Sequence, residues 1–299
     1  MNILITGING FIGKNLWEHL NNDDFKIMAI VKKKNKDLPK SFKIINRNIE
    51  NLKRADINII KKFKPEVVLN LAWQGIPNFS YQNSIINLKM HINFINKLIE
   101  ISTIKKIIMT GSCWEYMENT GRCEENNQGI PKSYFVWSKN SIHDYYKIIS
   151  KIHNIKLVWF RIFFVYGKYQ RRNSLIPSII NSLKHSKKPQ ILNPSNKNDF
   201  IHIDDVCRAI ITAIKKKNIY GIFNIGSGSA ISVEKIYNKI LFKLTLKKKL
   251  FQLNKNNNNK SSANFADLNK VSSKLKWFPK INIDKGLEKM VNFYNGQIL

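Results

Sequence analysis

The chain is poor in acid, in arginine and in cysteine. Its 299 residues hold 20 Asp or Glu against 50 Lys or Arg, only seven of the latter are arginine, and the formal net charge is +30. An excess of that size raises nucleic acid or an anionic membrane as partners. The scarcity of arginine, the side chain that reads bases and forks phosphates, argues against nucleic acid, and no aromatic–basic motif accompanies the lysines. The lysines are spread among abundant Asn and Ile, so the excess reads as a sequence-wide bias and not as a patch. Cys113, Cys123 and Cys207 have no metal-ligand spacing; no metal is expected, and the thiols read as reduced in a cytoplasmic protein. No apolar run approaches the roughly 20 residues that cross a bilayer. The opening residues are strand-like, so no signal peptide is expected.

What is present begins at residue 2. Asn2-Ile-Leu-Ile-Thr6 is apolar and β-prone, Gly7-Ile-Asn-Gly10-Phe-Ile-Gly13 follows, and Lys14 to Leu20 is helix-like. A buried strand, a glycine turn and a helix start make a dinucleotide-binding βα unit. Gly7 permits the turn, Gly10 lets backbone approach a pyrophosphate, Gly13 lets helix pack on strand, and the helix N-terminus offers N–H groups to phosphate. A second apolar strand, Phe25 to Val31, ends in Lys32-Lys33-Lys34. In NAD sites an acid stands near this point to bind the ribose hydroxyls. Three cations and no carboxylate favour NADP, although a solvated lysine run reads equally well in so Lys-rich a chain.

Lys43 to Asn48 reads as a third strand, Leu52 to Phe63 as a helix stopped by Pro65, and Glu66 to Ala72 as a fully apolar strand running into a loop at Trp73. Ser84 to Ile101 reads as a long amphipathic helix, Lys105 to Thr110 as a strand, Pro131 to Ile152 as a helix and Ile155 to Arg161 as a strand. This alternation predicts a doubly wound parallel α/β sheet. Beyond residue 168 it becomes irregular. Asn173 to Pro177 opens a short helix, and Asp199 to Asp205 is a strand whose terminal acids cap a helix over 206–215. Residues 247–262 are Lys/Asn-rich and read as a mobile loop, and the stretch from Phe265 to Pro279 and the tail 283–294 as helices.

Taken together, the motifs resemble the extended short-chain dehydrogenase/reductase superfamily, in its NAD-dependent epimerase/dehydratase branch. Thr6 to Gly13 is similar to TGxxGFIG, Pro65 to Ala72 to PDxVxHLA, Gly111 to Tyr116 to SSxxxY and Arg161 to Gly167 to RxFNVYG. Asp199 to Asp205, Phe223 to Gly228 and Leu275 to Pro279 continue the likeness. The resemblance implies a Rossmann dinucleotide domain over 1–168 and a smaller substrate-binding part over 169–299, the two interleaved. It implies a nicotinamide cofactor, NADP with NAD possible, a nucleotide-sugar substrate, a homodimer, and hydride chemistry at a sugar carbon. Trp73 is similar to a residue of sugar 4-reductases and epimerases in surface-polysaccharide pathways. The resemblance places Gly7, Asn9, Gly10, Phe11, Ile12, Gly13, Lys32, Lys33, Asn48, Ile49, Leu71, Ala72, Trp73 and Lys139 at the cofactor, and Ser112, Phe164, Asn173 and Ser174 at the substrate.

In that family a serine, a tyrosine and a lysine act together. Ser112 matches the serine and Lys139 the lysine, but the tyrosine position, four before Lys139, holds Phe135. Phenylalanine transfers no proton, and a positioned acid–base group is worth roughly 10²–10⁴ in rate. Three readings stand side by side. Tyr134 substitutes; or another group, Glu115, Tyr116, His143 or a water, moves the proton; or the protein binds cofactor and sugar with little turnover. Two further departures are Phe164, where the family often has Asn, and Asn48, where it often has Asp.

Overall fold

The computed structural model describes residues 1–20, 25–116, 121–127, 129–244 and 263–296. The expected mobile loop over 247–262 lies outside the described residues. By compactness the chain forms two units, one built from Met1–Met117, Gln128–Arg161 and Ala209–Phe223, the other from Glu118–Asn127, Ile162–Arg208 and Asn224–Leu299.

The first unit carries β1 (Asn2–Thr6), α1 (Phe11–Leu20), β2 (Lys26–Val31), β3 (Lys43–Asn46), α2 (Arg54–Phe63), β4 (Val67–Asn70), α3 (Tyr81–Leu98) and β5 (Lys106–Ser112). A single 3₁₀ turn, Cys113–Tyr116, follows. The chain runs on through β6 (Gly121–Cys123), α4 (Tyr134–Ile152), β7 (Lys156–Ile162), β8 (Phe164–Tyr166), α5 (Leu175–Lys184), β9 (Lys197–Asn198), β10 (Phe200–His202), α6 (Ile203–Lys215), β11 (Gly221–Ile225), β12 (Ile231–Ser232), α7 (Val233–Lys243), β13 (Ala263–Ala266) and α8 (Ile283–Asn295). Seven strands form one parallel sheet in the order β11, β7, β5, β4, β1, β2, β3. Its strands are continuously apolar because helices cover both faces of a parallel sheet: Ile3, Leu4, Ile5, Val68, Leu69, Ile107 and Ile108 are buried. The order reverses at β1, which pairs with β2 on one side and β4 on the other. That switch point is where doubly wound sheets open a ligand crevice.

Helix ends follow local chemistry. α3 starts at Tyr81, three residues earlier than expected, because Ser80 Oγ accepts from Asn83 N–H; Ser84 instead returns its hydroxyl to the Ser80 carbonyl at 2.9 Å. α4 starts at Tyr134 and not Pro131, because Ser133 caps it by accepting from Val136 N–H. α6 starts at Ile203, so Asp204 and Asp205 sit inside its first turn. Asp205 is not a cap: its carboxylate accepts the N–H groups of Lys280 and Ile281 at 3.0 and 2.9 Å. The last turn of α6 is held in the first unit by Lys106, whose ammonium donates to the carbonyls of Ala213, Ile214 and Lys216 at 2.7, 3.2 and 2.6 Å.

The second unit has its own core, with Tyr166, Ile176, Ile180, Ile236, Ile240, Leu287 and Met290. Its small sheet runs β12, β9, β13, β6. The stretch around Phe265, expected to be helical, is strand β13, in parallel register with β6 from Asn264↔Gly121 to Ala266↔Cys123. This pairing draws 118–127 into the second unit, and 209–223 belongs to the first, so each compact unit is assembled from separate stretches of sequence. Asp199 braces the second unit by accepting from the N–H groups of Ser227, Gly228 and Ala266.

Candidate active site

At the switch point the β1–α1 loop turns on Gly7, whose φ is 74°. A side chain there would fall 2.6 Å from the Leu71 carbonyl carbon and the Ala72 nitrogen, so the loop lies directly on the chain leaving β4. A side chain on Gly13 would strike the Gly7 carbonyl and Ile8 Cα, and its absence seats α1 against the loop. Gly10 N–H donates to Gly7 O at 2.9 Å and closes the turn. Asn9 ties the loop to the end of β2, donating from Nδ2 to Lys33 O at 3.0 Å.

Above this loop lies a cavity of about 340 Å³. Gly7, Asn9, Gly10, Lys32, Lys33, Asn48, Ile49, Leu71, Ala72 and Trp73 line it, so ten of the expected cofactor positions converge. Phe11, Ile12 and Gly13 do not line it; they form the first turn of α1 beneath. The wall also includes Ile8, Ile30, Val31, Arg47, Gln74 and Met90, which sequence reasoning missed. Ile30 and Val31 close the strand that ends in the lysines, and Arg47 directly precedes Asn48; those adjacencies were the available signals.

Beneath the cavity Thr6 Oγ1 donates to Asn70 Oδ1 at 2.7 Å, and Asn70 Nδ2 meets His91 Nδ1 at 3.0 Å. His91 is buried and stacks on Trp73 with ring centroids 5.7 Å apart. Burial first, then the nearby Lys139 charge, lowers its pKa to about 3, so its imidazole is neutral.

Trp73 leads from the cavity to a second group of residues. Lys139 Nζ lies 3.9 Å over the Trp73 ring and donates to Thr110 O at 2.7 Å. Burial lowers the Lys139 pKa to about 8, with Glu115 opposing the shift. Phe135 is buried among Trp73, Phe79 and Trp114, at centroid distances of 5.3, 4.7 and 5.8 Å. Its own ring centroid is 5.9 Å from Lys139 Nζ. Ser112 Oγ accepts from Trp114 N–H at 3.2 Å, which leaves the hydroxyl proton to donate.

The other proton-transfer candidates sit elsewhere. Tyr134 is 55% exposed and packs edge-on against Tyr81, away from the buried Phe135. Glu115 is fully buried: it accepts from Arg161 Nε at 2.8 Å, from Trp159 Nε1 at 3.1 Å and from Ser112 N–H at 2.8 Å. Tyr116 is buried under the Arg161 guanidinium, 4.6 Å from its ring. His143 packs edge-on against Trp159 and contacts Asp144, and burial lowers its pKa. Phe164, Asn173 and Ser174 belong to the second unit, where Phe164 packs on Phe200, Asn173 is exposed and Ser174 precedes α5.

The NAD-dependent epimerase/dehydratase family matches residues 3–226. The chain belongs to that family. It is 25% identical to the dTDP-4-dehydro-6-deoxyglucose reductase of Escherichia coli, over 97% of this chain and 96% of that protein. It is 28% identical to the dTDP-6-deoxy-L-talose 4-dehydrogenase of Aggregatibacter actinomycetemcomitans, over 83% and 92%. Among solved structures it is similar to a tyrosine-to-phenylalanine mutant of UDP-glucuronic acid 4-epimerase from Bacillus cereus, in complex with UDP-4-deoxy-4-fluoro-glucuronic acid and NAD. That match has 25% identity, covers 99% of both chains and has a TM-score of 0.85. The residues of this epimerase/dehydratase-family chain fit a nicotinamide dinucleotide: glycines take the places where a Cβ would fill the cradle, and α1 opens straight after Gly10. Among the described residues, no helix is long and apolar enough to cross a membrane.

Proposed function

We propose that the protein is an NAD(P)-dependent oxidoreductase or epimerase of a nucleotide-linked sugar, preferring NADP. Trp73 carries this reading. It lines the dinucleotide cavity and touches both Lys139 and Phe135, joining that cavity to the lysine and to the position where the family's tyrosine would stand. When bound, a nicotinamide supplies or accepts a hydride at the sugar carbon. Gly7, Gly10 and the first turn of α1 receive its phosphates, and Lys139 anchors the ribose beside it. Ser112 donates to the reacting oxygen. The phenol that ordinarily moves the proton is missing, and Tyr134, Glu115, Tyr116 and His143 are all committed to other contacts or face elsewhere. Lys139, titrating at about 8, is the ammonium adjoining the vacated position.

A second reading is a cofactor- and sugar-nucleotide-binding protein with little turnover. The four-ring packing of Phe135 with Trp73, Phe79 and Trp114 favours it, since no proton can leave that ring. The Bacillus cereus mutant, with phenylalanine for one tyrosine, is in complex with both a UDP-sugar analogue and NAD, which supports binding by a chain lacking one phenol. Incubation with NADPH and a panel of nucleotide-linked 4-keto sugars separates the two. Cofactor oxidation matched to sugar reduction supports the enzyme; cofactor bound with silence across the panel supports the binding protein. We further propose a cytoplasmic role in surface-polysaccharide precursor synthesis, and a homodimer formed through α3 and α4, where Ile86, Trp137, Ile148 and Ile152 are exposed.

A further inference from the structure

The cavity wall holds three cations, Lys32, Lys33 and Arg47, and no carboxylate. The two lysines are exposed, whereas Arg47 is half-buried. Arg47 N–H donates to Val31 O at 2.9 Å, which brings the end of β3 beside the end of β2. The Arg47 side chain is then steadied from α2: Nε lies 3.3 Å from Asp56 Oδ2, as an ion contact without hydrogen-bond alignment. Asp56 is itself fixed, buried and accepting from Lys53 N–H at 2.8 Å. The carboxylate meets the guanidinium at Nε, so the terminal N–H groups are those offered to a ligand.

We propose that Arg47, positioned by Asp56, grips a phosphomonoester on the adenosine ribose and sets the preference for the 2′-phosphorylated over the unphosphorylated dinucleotide. This rests on the cofactor-binding reading above and assigns its specificity to a residue outside the glycine loop and the lysine run. The physical grounds are pre-organisation and shape. An exposed lysine is a mobile point charge in salt solution, largely screened beyond about 8–10 Å. A half-buried guanidinium held by a fixed carboxylate presents a planar fork to phosphate oxygens with little entropy left to lose.

The test uses the full-length protein and two probes that differ by one phosphate, adenosine 2′,5′-bisphosphate and adenosine 5′-monophosphate, followed by calorimetry. NADPH and NADH are compared in parallel by fluorescence. The wild type prefers the bisphosphate by roughly tenfold or more, the scale of a charge-assisted phosphate contact. Arg47→Met removes most of that preference and leaves monophosphate affinity within about twofold, Arg47→Lys retains part of it, and Asp56→Asn weakens it without abolishing it. Equal losses for both probes in Arg47→Met would make the guanidinium an adenine-stacking residue and overturn the proposal, as would a wild type without preference that still binds NADH. A wild type that binds neither dinucleotide defeats the cofactor reading and this proposal together. Circular dichroism of each variant confirms that the fold is retained.

Discussion

Glu115 offers the sharpest test of what the site is built from, because its position in the sequence suits a base and its surroundings suit a brace. Glu115 and Arg161 are each 1% exposed. Removing one partner of such a pair strands the other charge and costs about 3–5 kcal/mol. Glu115→Gln keeps an oxygen for Ser112 N–H and the Trp159 indole, so the lower end, about 3 kcal/mol, is expected. At about 2–4 °C per kcal/mol for a domain of 150–250 residues, Tm falls by about 6–12 °C. Thermal melts followed by circular dichroism measure this. The double variant Glu115→Gln/Arg161→Met removes both charges while keeping the oxygen for Ser112 N–H and the Trp159 indole, and recovers most of the loss, since a buried pair replaced by uncharged residues of similar volume is often neutral. An unchanged Tm in Glu115→Gln, with turnover lost, would refute the reasoning and restore Glu115 as a base.

Three other outcomes are expected. Phe135→Tyr returns a phenol beside Lys139 and raises turnover by about 10²-fold or more on the sugar panel; a fall in existing activity would mean that the aromatic packing itself serves the present chemistry. His91, its pKa lowered from 6.5 to about 3, is buried neutral, so its contribution is complete above pH 6.5 and is lost as pH falls towards 3. The slope is at most about 1.4 kcal/mol per pH unit, and urea melts of His91→Gln should have a flatter acid limb; an identical limb would remove His91 as the cause. Lys106→Met leaves the carbonyls at the end of α6 without their ammonium and costs about 1–3 kcal/mol, read as faster hydrogen exchange over 209–216; unaltered exchange would mean that the ammonium is dispensable.

The first unit was legible because its signals are local. Apolar strands, punctuating glycines and Pro65 identify β1, α1 and β4 wherever the rest of the chain goes. Errors appeared where a partner is distant. β13 exists because Ala263–Ala266 pairs with Gly121–Cys123, and nothing within the segment announces that. Asp205 looked like a helix cap, but its acceptors serve Lys280 and Ile281. The Glu115–Arg161 ion pair, a contact across 46 positions, was likewise invisible to local signals. Arg47 escaped notice because a cation after a strand is unexceptional in a lysine-rich chain until the cavity wall is seen.

The interleaving of the two units bears on how the protein is made. The first unit is incomplete until residues 209–223 are available, because the edge strand β11 and the α6 carbonyls that hold Lys106 come from that stretch. The second reaches back to 118–127 for β6. Neither unit is therefore encoded by a continuous stretch that a ribosome could release to fold alone. A nascent chain halted at residue 168 would expose the flank of β7 where β11 belongs, leaving an unpaired sheet edge open to association with other chains.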